Sequence, residues 1–135
     1  MTGLCPCGSK TSYKKCCEPF HSGRQKPPTA EKLMRSRYCA YALGKVSYVV
    51  NTSAKDLKEK LSLREIMEYC KHLKCISLKI LETAEGGESD VRGVVRFQAE
   101  MAVKGEAFLQ EERSLFERES GVWVYSGIDK PGKNG

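Results

Sequence analysis

Apolar and polar residues change rhythm partway along this chain. Between residues 29 and 73 the apolar positions recur at helical spacing, and from residue 75 onward they alternate. Thr29 can cap a helix whose first turn holds Glu31; Lys32 stands three residues after the cap, so a full capping box is not met. Leu33, Met34, Cys39, Tyr41, Ala42 and Val46, joined by Tyr38, give this helix its apolar surface, and Gly44 ends or loosens it. The stretch from Ser47 to Thr52 continues as a short helix or bend. Ser62-Leu-Arg-Glu65 does match a capping box and opens a second helix carrying Ile66, Met67, Tyr69, Cys70 and Leu73. Lys71, His72 and Lys74 fall in its last turn, where cations suit the helix dipole.

Four strands are predicted next. Cys75 to Leu81 alternates with Ile76, Leu78 and Ile80 on one face, and Glu85-Gly86-Gly87-Glu88 is a turn. Val91 to Val103 puts Val91, Gly93, Val95, Phe97, Ala99 and Met101 on one face. Lys104-Gly105-Glu106 then turns the chain into Ala107 to Glu119, where Glu112, Ser114 and Phe116 share a face. Ser120-Gly121 leads into Val122 to Ile128, with Trp123, Tyr125 and Gly127 on one side. Helices followed by an antiparallel meander define an α+β fold, and a curved sheet wrapped over the long helix would bury both apolar faces.

The first 26 residues fit neither rhythm, and here chemistry takes over from periodicity. Cys5-Pro-Cys7-Gly8-Ser9 and Lys14-Lys15-Cys16-Cys17 place four cysteines within thirteen residues. Two cysteine knuckles joined by a turn can offer Zn2+ a tetrahedron of soft donors. Gly8 can take the positive φ of a tight knuckle, freeing its N–H to point at a ligand sulfur. So short a segment with almost no aliphatic side chains cannot form a core alone, so metal binding would also be its folding. Four protein ligands close the coordination shell, which makes the zinc structural rather than catalytic. Another soft metal or cluster, and a disulfide or redox pair, are the competing readings. The seven cysteines are an odd number, and Met1-Thr2-Gly3-Leu4 opens no secretory signal, so a cytoplasmic location is expected. No apolar run approaches the roughly twenty residues of a membrane span. His21 is a possible substitute ligand but reads better as an ordinary polar residue leaving the module. Cys39, Cys70 and Cys75 read as small apolar packing groups.

The net charge of +6 is concentrated at this end, where Lys10, Lys14, Lys15, Arg24 and Lys26 face Glu18 alone. Either these cations neutralise a zinc–thiolate site or they form a face for RNA or an acidic protein. Domain organisation follows: residues 1–26 as a zinc module, 27–129 as one compact domain after a Pro27-Pro28 linker, and 130–135 as a flexible tail.

The cysteine knuckles, with Tyr13-Lys14-Lys15-Cys16-Cys17, resemble the SEC-C motif found at the end of the SecA translocation ATPase and on many other proteins. All four ligand positions, Cys5, Cys7, Cys16 and Cys17, are filled. In SecA-like proteins that module contacts a chaperone and the ribosome, which implies a docking role. The resemblance extends through Glu18-Pro19-Phe20-His21-Ser22-Gly23, Leu33-Met34-Arg35-Ser36-Arg37-Tyr38-Cys39-Ala40-Tyr41 and the run from Glu112 to Asp129, which are similar to the YchJ family of small bacterial proteins. That implies a nuclear-transport-factor-two-like domain, a helix-backed cone with a curved sheet. Many relatives carry a second SEC-C module after the last strand, whereas this sequence ends in Lys130-Pro131-Gly132, which puts functions requiring two modules in doubt here.

Two function classes follow. The first is a zinc-dependent adaptor whose module docks a chaperone or ribosome-associated protein, the cone serving as scaffold or small-ligand receptor. The alternative is a small-molecule enzyme or binding protein that works inside the cone. Cones of this kind often hold pockets, and some are enzymes with an acid–base group in an apolar cavity. Glu112 is the candidate for that role. Arg35 and Arg37 could pair with it, bind an anion, or form with it a buried ion-pair network joining helix to sheet. Tyr38 and Trp123 are further pocket candidates, Trp123 reading first as core. His72 reads as a surface residue at a helix end. A sealed cone would count against the enzymatic class, and an open cavity holding Glu112 beside an arginine would favour it.

Overall fold

The computed structural model describes residues 4–129; the predicted flexible tail, 130–135, lies outside them. A 3-10 turn at Tyr13–Lys15 and a single helical turn, α1 (Glu18–His21), follow the cysteine knuckles. Then come α2 (Ala30–Leu43), α3 (Val46–Asn51), α4 (Lys55–Lys58) and α5 (Leu63–His72). Strands β1 (Leu73–Glu85), β2 (Arg92–Val103), β3 (Glu106–Glu119) and β4 (Val122–Ile128) complete an antiparallel meander in the order β1-β2-β3-β4. The fold is α+β, with the helices on the concave face of a curved four-stranded sheet.

Helix α2 organises the core. The Thr29 side chain accepts from the Lys32 N–H at 3.1 Å, satisfying one orphan donor of the first turn despite the missing acidic partner. Its buried residues are not confined to one stripe. Leu33, Met34 and Tyr38 pack on Val95, Phe97, Ala99, Met101, Phe116 and Trp123 of the sheet. Ser36, Arg37, Cys39 and Ala40 are also buried, covered by α3 and the cysteine module. An amphipathic pattern predicts one buried face, and here a second layer covers the other.

The sheet departs from simple alternation at three places, two in β1 and one between β3 and β4, where Gly127 pairs with Leu115 and so leaves the face it was expected to share with Tyr125. In β1 the pairing with β2 shifts between Cys75 and Ser77 and again between Ile80 and Glu82. The first bulge turns Ile76 outward, leaving it 46% exposed, and brings Cys75, Leu78 and Ile80 to the concave side. Val91, expected on the inner face, precedes β2 and is 70% exposed. The inner faces predicted for the rest of β2, for β3 from Glu112 to Phe116, and for Trp123 and Tyr125 stand as read. Helix α5 starts where Ser62 accepts from the Glu65 N–H, yet none of its residues is fully buried, since it runs straight into β1 at the end of the sheet.

The linker is docked, not free. Pro27 is buried, and the Trp123 indole N–H donates to the Pro28 carbonyl at 3.1 Å. The Arg118 guanidinium stacks on the other side of the indole at 4.5 Å. At this same end of the sheet two backbones meet: a Cβ on Gly93 would lie 2.4 Å from the Gly86 Cα and 2.7 Å from its nitrogen. Gly93→Ala should therefore lower unfolding free energy by about 1–3 kcal/mol, read as a lower urea midpoint at unchanged slope. An unchanged midpoint would refute this close approach.

Candidate functional site

The cysteine segment is closed by short-range backbone bonds. Leu4 bridges Ser12, Cys5 N–H donates to the Thr11 carbonyl at 2.8 Å, and Gly8 N–H donates to the Cys5 carbonyl at 3.2 Å. Gly8 does take a positive φ of 85°, but its N–H closes the knuckle and is not spent on a sulfur. The result brings Cys5, Cys7, Cys16 and Cys17 together with all four sulfurs within 4.8 Å of one another. A zinc–sulfur bond of 2.3 Å in a tetrahedron implies sulfur–sulfur edges of about 3.8 Å. Cys7–Cys16 at 3.6 Å and Cys16–Cys17 at 4.0 Å match that edge. The donor set fits one soft divalent ion. Hydrogen bonds from Cys17, Cys39 and Cys7 hold the Cys5 thiol far below the ordinary thiol range, and the contacts with Cys39 and Cys5 push Cys17 up. Four thiolates held this close would repel one another, and a cation among them would relieve that repulsion.

A fifth sulfur adjoins the cluster. Cys39 of α2 is fully buried with its Sγ 3.7 Å from that of Cys5. It is a small packing group, as expected, but what it packs against is the candidate metal centre. Its distance in sequence from the knuckles hid this.

His21 holds the cluster to the rest of the fold and is not a ligand in this arrangement. Its Nε2 lies 2.8 Å from the Ser36 carbonyl and its Nδ1 2.8 Å from the Tyr13 hydroxyl. Burial pushes its pKa down, so the ring is neutral. A carbonyl can only accept, so Nε2 carries the proton and Nδ1 accepts from Tyr13. Tyr48 meets the ring edge-on at 4.7 Å and shares a 2.7 Å hydrogen bond with Ser36 Oγ. Arg35 makes a second tie: its Nη1 donates to the Cys7 carbonyl at 2.9 Å and its Nε pairs with Glu31 at 3.0 Å.

On the other side of α2 the cone encloses an open cavity of about 230 Å³, lined by Arg37, Tyr38 and Glu112 among largely aromatic and apolar side chains. Arg35 and Trp123 are not in its wall. Glu112 accepts from Gln110 at 3.0 Å, Ser114 at 2.7 Å and Tyr125 at 2.7 Å. Burial and that bond raise the Tyr125 pKa, keeping the phenol a donor. Arg37 is buried; its Nη1 donates to the Val49 carbonyl at 2.9 Å, Thr52 Oγ1 at 2.8 Å and Ser53 Oγ at 3.3 Å. Its guanidinium stacks on the Tyr125 ring at 4.6 Å. Among the described residues neither Arg35 nor Arg37 forms an ion pair with Glu112, so the network imagined between them is absent. Tyr125 stands between Arg37 and Glu112 instead. His72 pairs with Glu68 on exposed α5.

A four-cysteine knuckle packed on the back of a helix-filled cone defines a class of two-part proteins, and sequence relationships agree. Residues 1–19 match the SEC-C motif, and residues 29–127 match the family described as "YchJ, middle NTF2-like domain". The chain belongs to this family, whose curated relatives carry the label UPF0225. A UPF0225 protein of Streptomyces coelicolor is 42% identical over 126 residues, covering 93% of this chain and 94% of the relative. One from Corynebacterium glutamicum is 43% identical over 131 residues, covering 96% and 98%. The solution structure of a SEC-C motif containing protein from Rhodopseudomonas palustris superposes with a TM-score of 0.83 at 30% identity, covering 96% of this chain and 98% of that one. A crystal structure of a SEC-C motif containing protein from Psychrobacter arcticus, 23% identical, shares the fold with a TM-score of 0.77 over 97% of this chain and 82% of that one. The motif and the sulfur geometry together point to metal binding. Among the described residues no helix is long and apolar enough to cross a membrane.

If His21 is the strut, His21→Ala should cost about 2–4 kcal/mol, and Tyr13→Phe, which removes only one hydroxyl, about 1 kcal/mol. Chemical denaturation of the metal-loaded chain measures both. Equal losses in the two variants would contradict the two-bond arrangement.

Proposed function

We propose that this chain is a cytoplasmic zinc-binding docking protein whose cone serves as a receptor for a small molecule. In this reading residues 1–26 form the docking module and 27–129 the receptor, with Cys5, Cys7, Cys16 and Cys17 as the ligands of one structural Zn2+. The observation that carries it is the closed set of four sulfurs. A full shell leaves no coordination position for water or substrate, so the ion organises a surface and performs no chemistry. Lys10, Lys14 and Lys15 are exposed beside that surface, which suits an acidic face on a protein partner, of the chaperone or ribosome-associated kind. RNA is the competing occupant of the same cations.

A second reading, an enzyme acting in the cone, is favoured by one feature, the open cavity that holds Glu112 and Arg37. The three donors already on Glu112 weigh against it as a mobile acid–base group, since they fix the carboxylate in place as an acceptor. Glu112→Gln would abolish turnover of a cone substrate under the enzymatic reading and leave zinc-dependent capture intact under the docking one.

Native mass spectrometry should find one zinc per chain, lost in the Cys16→Ser/Cys17→Ser double variant. Capture from bacterial lysate should recover partners that the double variant and the chelated protein do not. Recovery of the same partners by the zinc-free protein would defeat the docking role, and a metal other than zinc would correct the cofactor.

A further inference from the structure

The cavity wall is unevenly supplied with hydrogen-bonding groups, and the imbalance specifies a ligand class. A guanidinium has five N–H donors. On Arg37, Nη1 is occupied by Val49, Thr52 and Ser53, while Nε and Nη2 meet no acceptor among the described residues. No carboxylate pairs with this buried cation, and buried charges are ordinarily paired. Tyr38, a residue of the same wall, has its hydroxyl fully buried without a hydrogen-bond partner; the neighbouring Cys75 thiol is at best a weak one. On the acceptor side, a carboxylate offers about four lone-pair sites, and Glu112 already has three taken by Gln110, Ser114 and Tyr125. The open nitrogens of Arg37 are therefore the strongest free donors on this wall among the described residues.

We infer that the cavity is a site for a small aromatic carboxylate, its acid group received by the open Nε and Nη2 of Arg37 and its ring held among Tyr41, Phe97 and Phe116. This rests on the receptor reading of the cone given above. The charge-assisted bonds to a guanidinium supply affinity in a desolvated site, and the aromatic wall accepts a planar ring. Size agrees: an apolar cavity of about 150 Å³ takes benzene, so 230 Å³ leaves room for one ring and its acid group. Glu112 carries the opposite charge on the same wall, but its carboxylate is already held by three donors while two Arg37 nitrogens are open, so the wall favours an anion over a cation.

The test uses the zinc-loaded full chain labelled with nitrogen-15 and three probes of one shape and different charge: benzoate, benzamide and benzamidine. Benzoate at millimolar concentration should shift the amides of Arg37, Tyr38, Ala99 and Ser114, bind at least about tenfold more tightly than benzamide, and leave benzamidine without effect. Arg37→Lys, which loses the open Nε and Nη2 donors, should weaken benzoate severalfold. Tyr38→Phe removes a hydroxyl that makes no bond in the protein and has no accessible surface, so this variant should keep its melting temperature and its benzoate affinity. Benzamidine or benzamide binding at these amides as tightly as benzoate would overturn the carboxylate assignment and leave the receptor reading standing. Benzoate affinity unchanged in Arg37→Lys would overturn it as well. Failure of all three probes to shift any lining amide would sink both the assignment and the receptor reading.

Discussion

Everything in this fold depends on a single helix being buried on both sides. Helix α2 lays Leu33, Met34 and Tyr38 on the sheet, while Ser36 and Cys39 face the cysteine module and its neighbours. A helix covered by a sheet alone would expose the second face, and that face carries a buried thiol, a buried hydroxyl and the carbonyl that receives His21. The cysteine segment cannot assemble a core from its own aliphatic side chains. Docking on α2 supplies part of its order, and an ion held by the four sulfurs would supply the rest. The two halves are therefore mutually dependent: the module covers the helix, and the helix supplies Ser36, Arg35 and Cys39 to hold the module.

That dependence explains which parts of the molecule could be read from the chain. Strand order, the inner face of β2 and the α2 cap were legible because alternation and capping are local signals. The four-cysteine spacing was legible because metal geometry constrains neighbours in sequence. Ile76 was misplaced because a bulge shifts the face by one residue, and no local signal marks it. What Cys39, His21 and Arg35 contact was not legible in the sequence, for a common reason. Their partners lie across the junction between module and cone, where no periodicity operates. Arg35 and Arg37 look equivalent in sequence, two residues apart on one helix; that offset turns one toward the Cys7 carbonyl and the other toward the cavity.

The shared helix also sets how the metal centre and the cavity can communicate. Arg37 and Tyr38 lie in the same two turns of α2 that carry Arg35, Ser36 and Cys39. A change in the order of the module loosens the Ser36 and Cys7 ties first. Because the helix backbone is continuous, the register of Arg37 against Val49, Thr52 and Ser53 is set by the same segment. Coupling between two sites is reciprocal in free energy, so any ligand that fixes Arg37 also favours the metal-ordered form of the module. On the proposed reading, a closed metal site far from any chemistry would matter to a receptor in this way: by holding the helix that carries Arg37, it would make the affinity of the cavity a property of the whole fold.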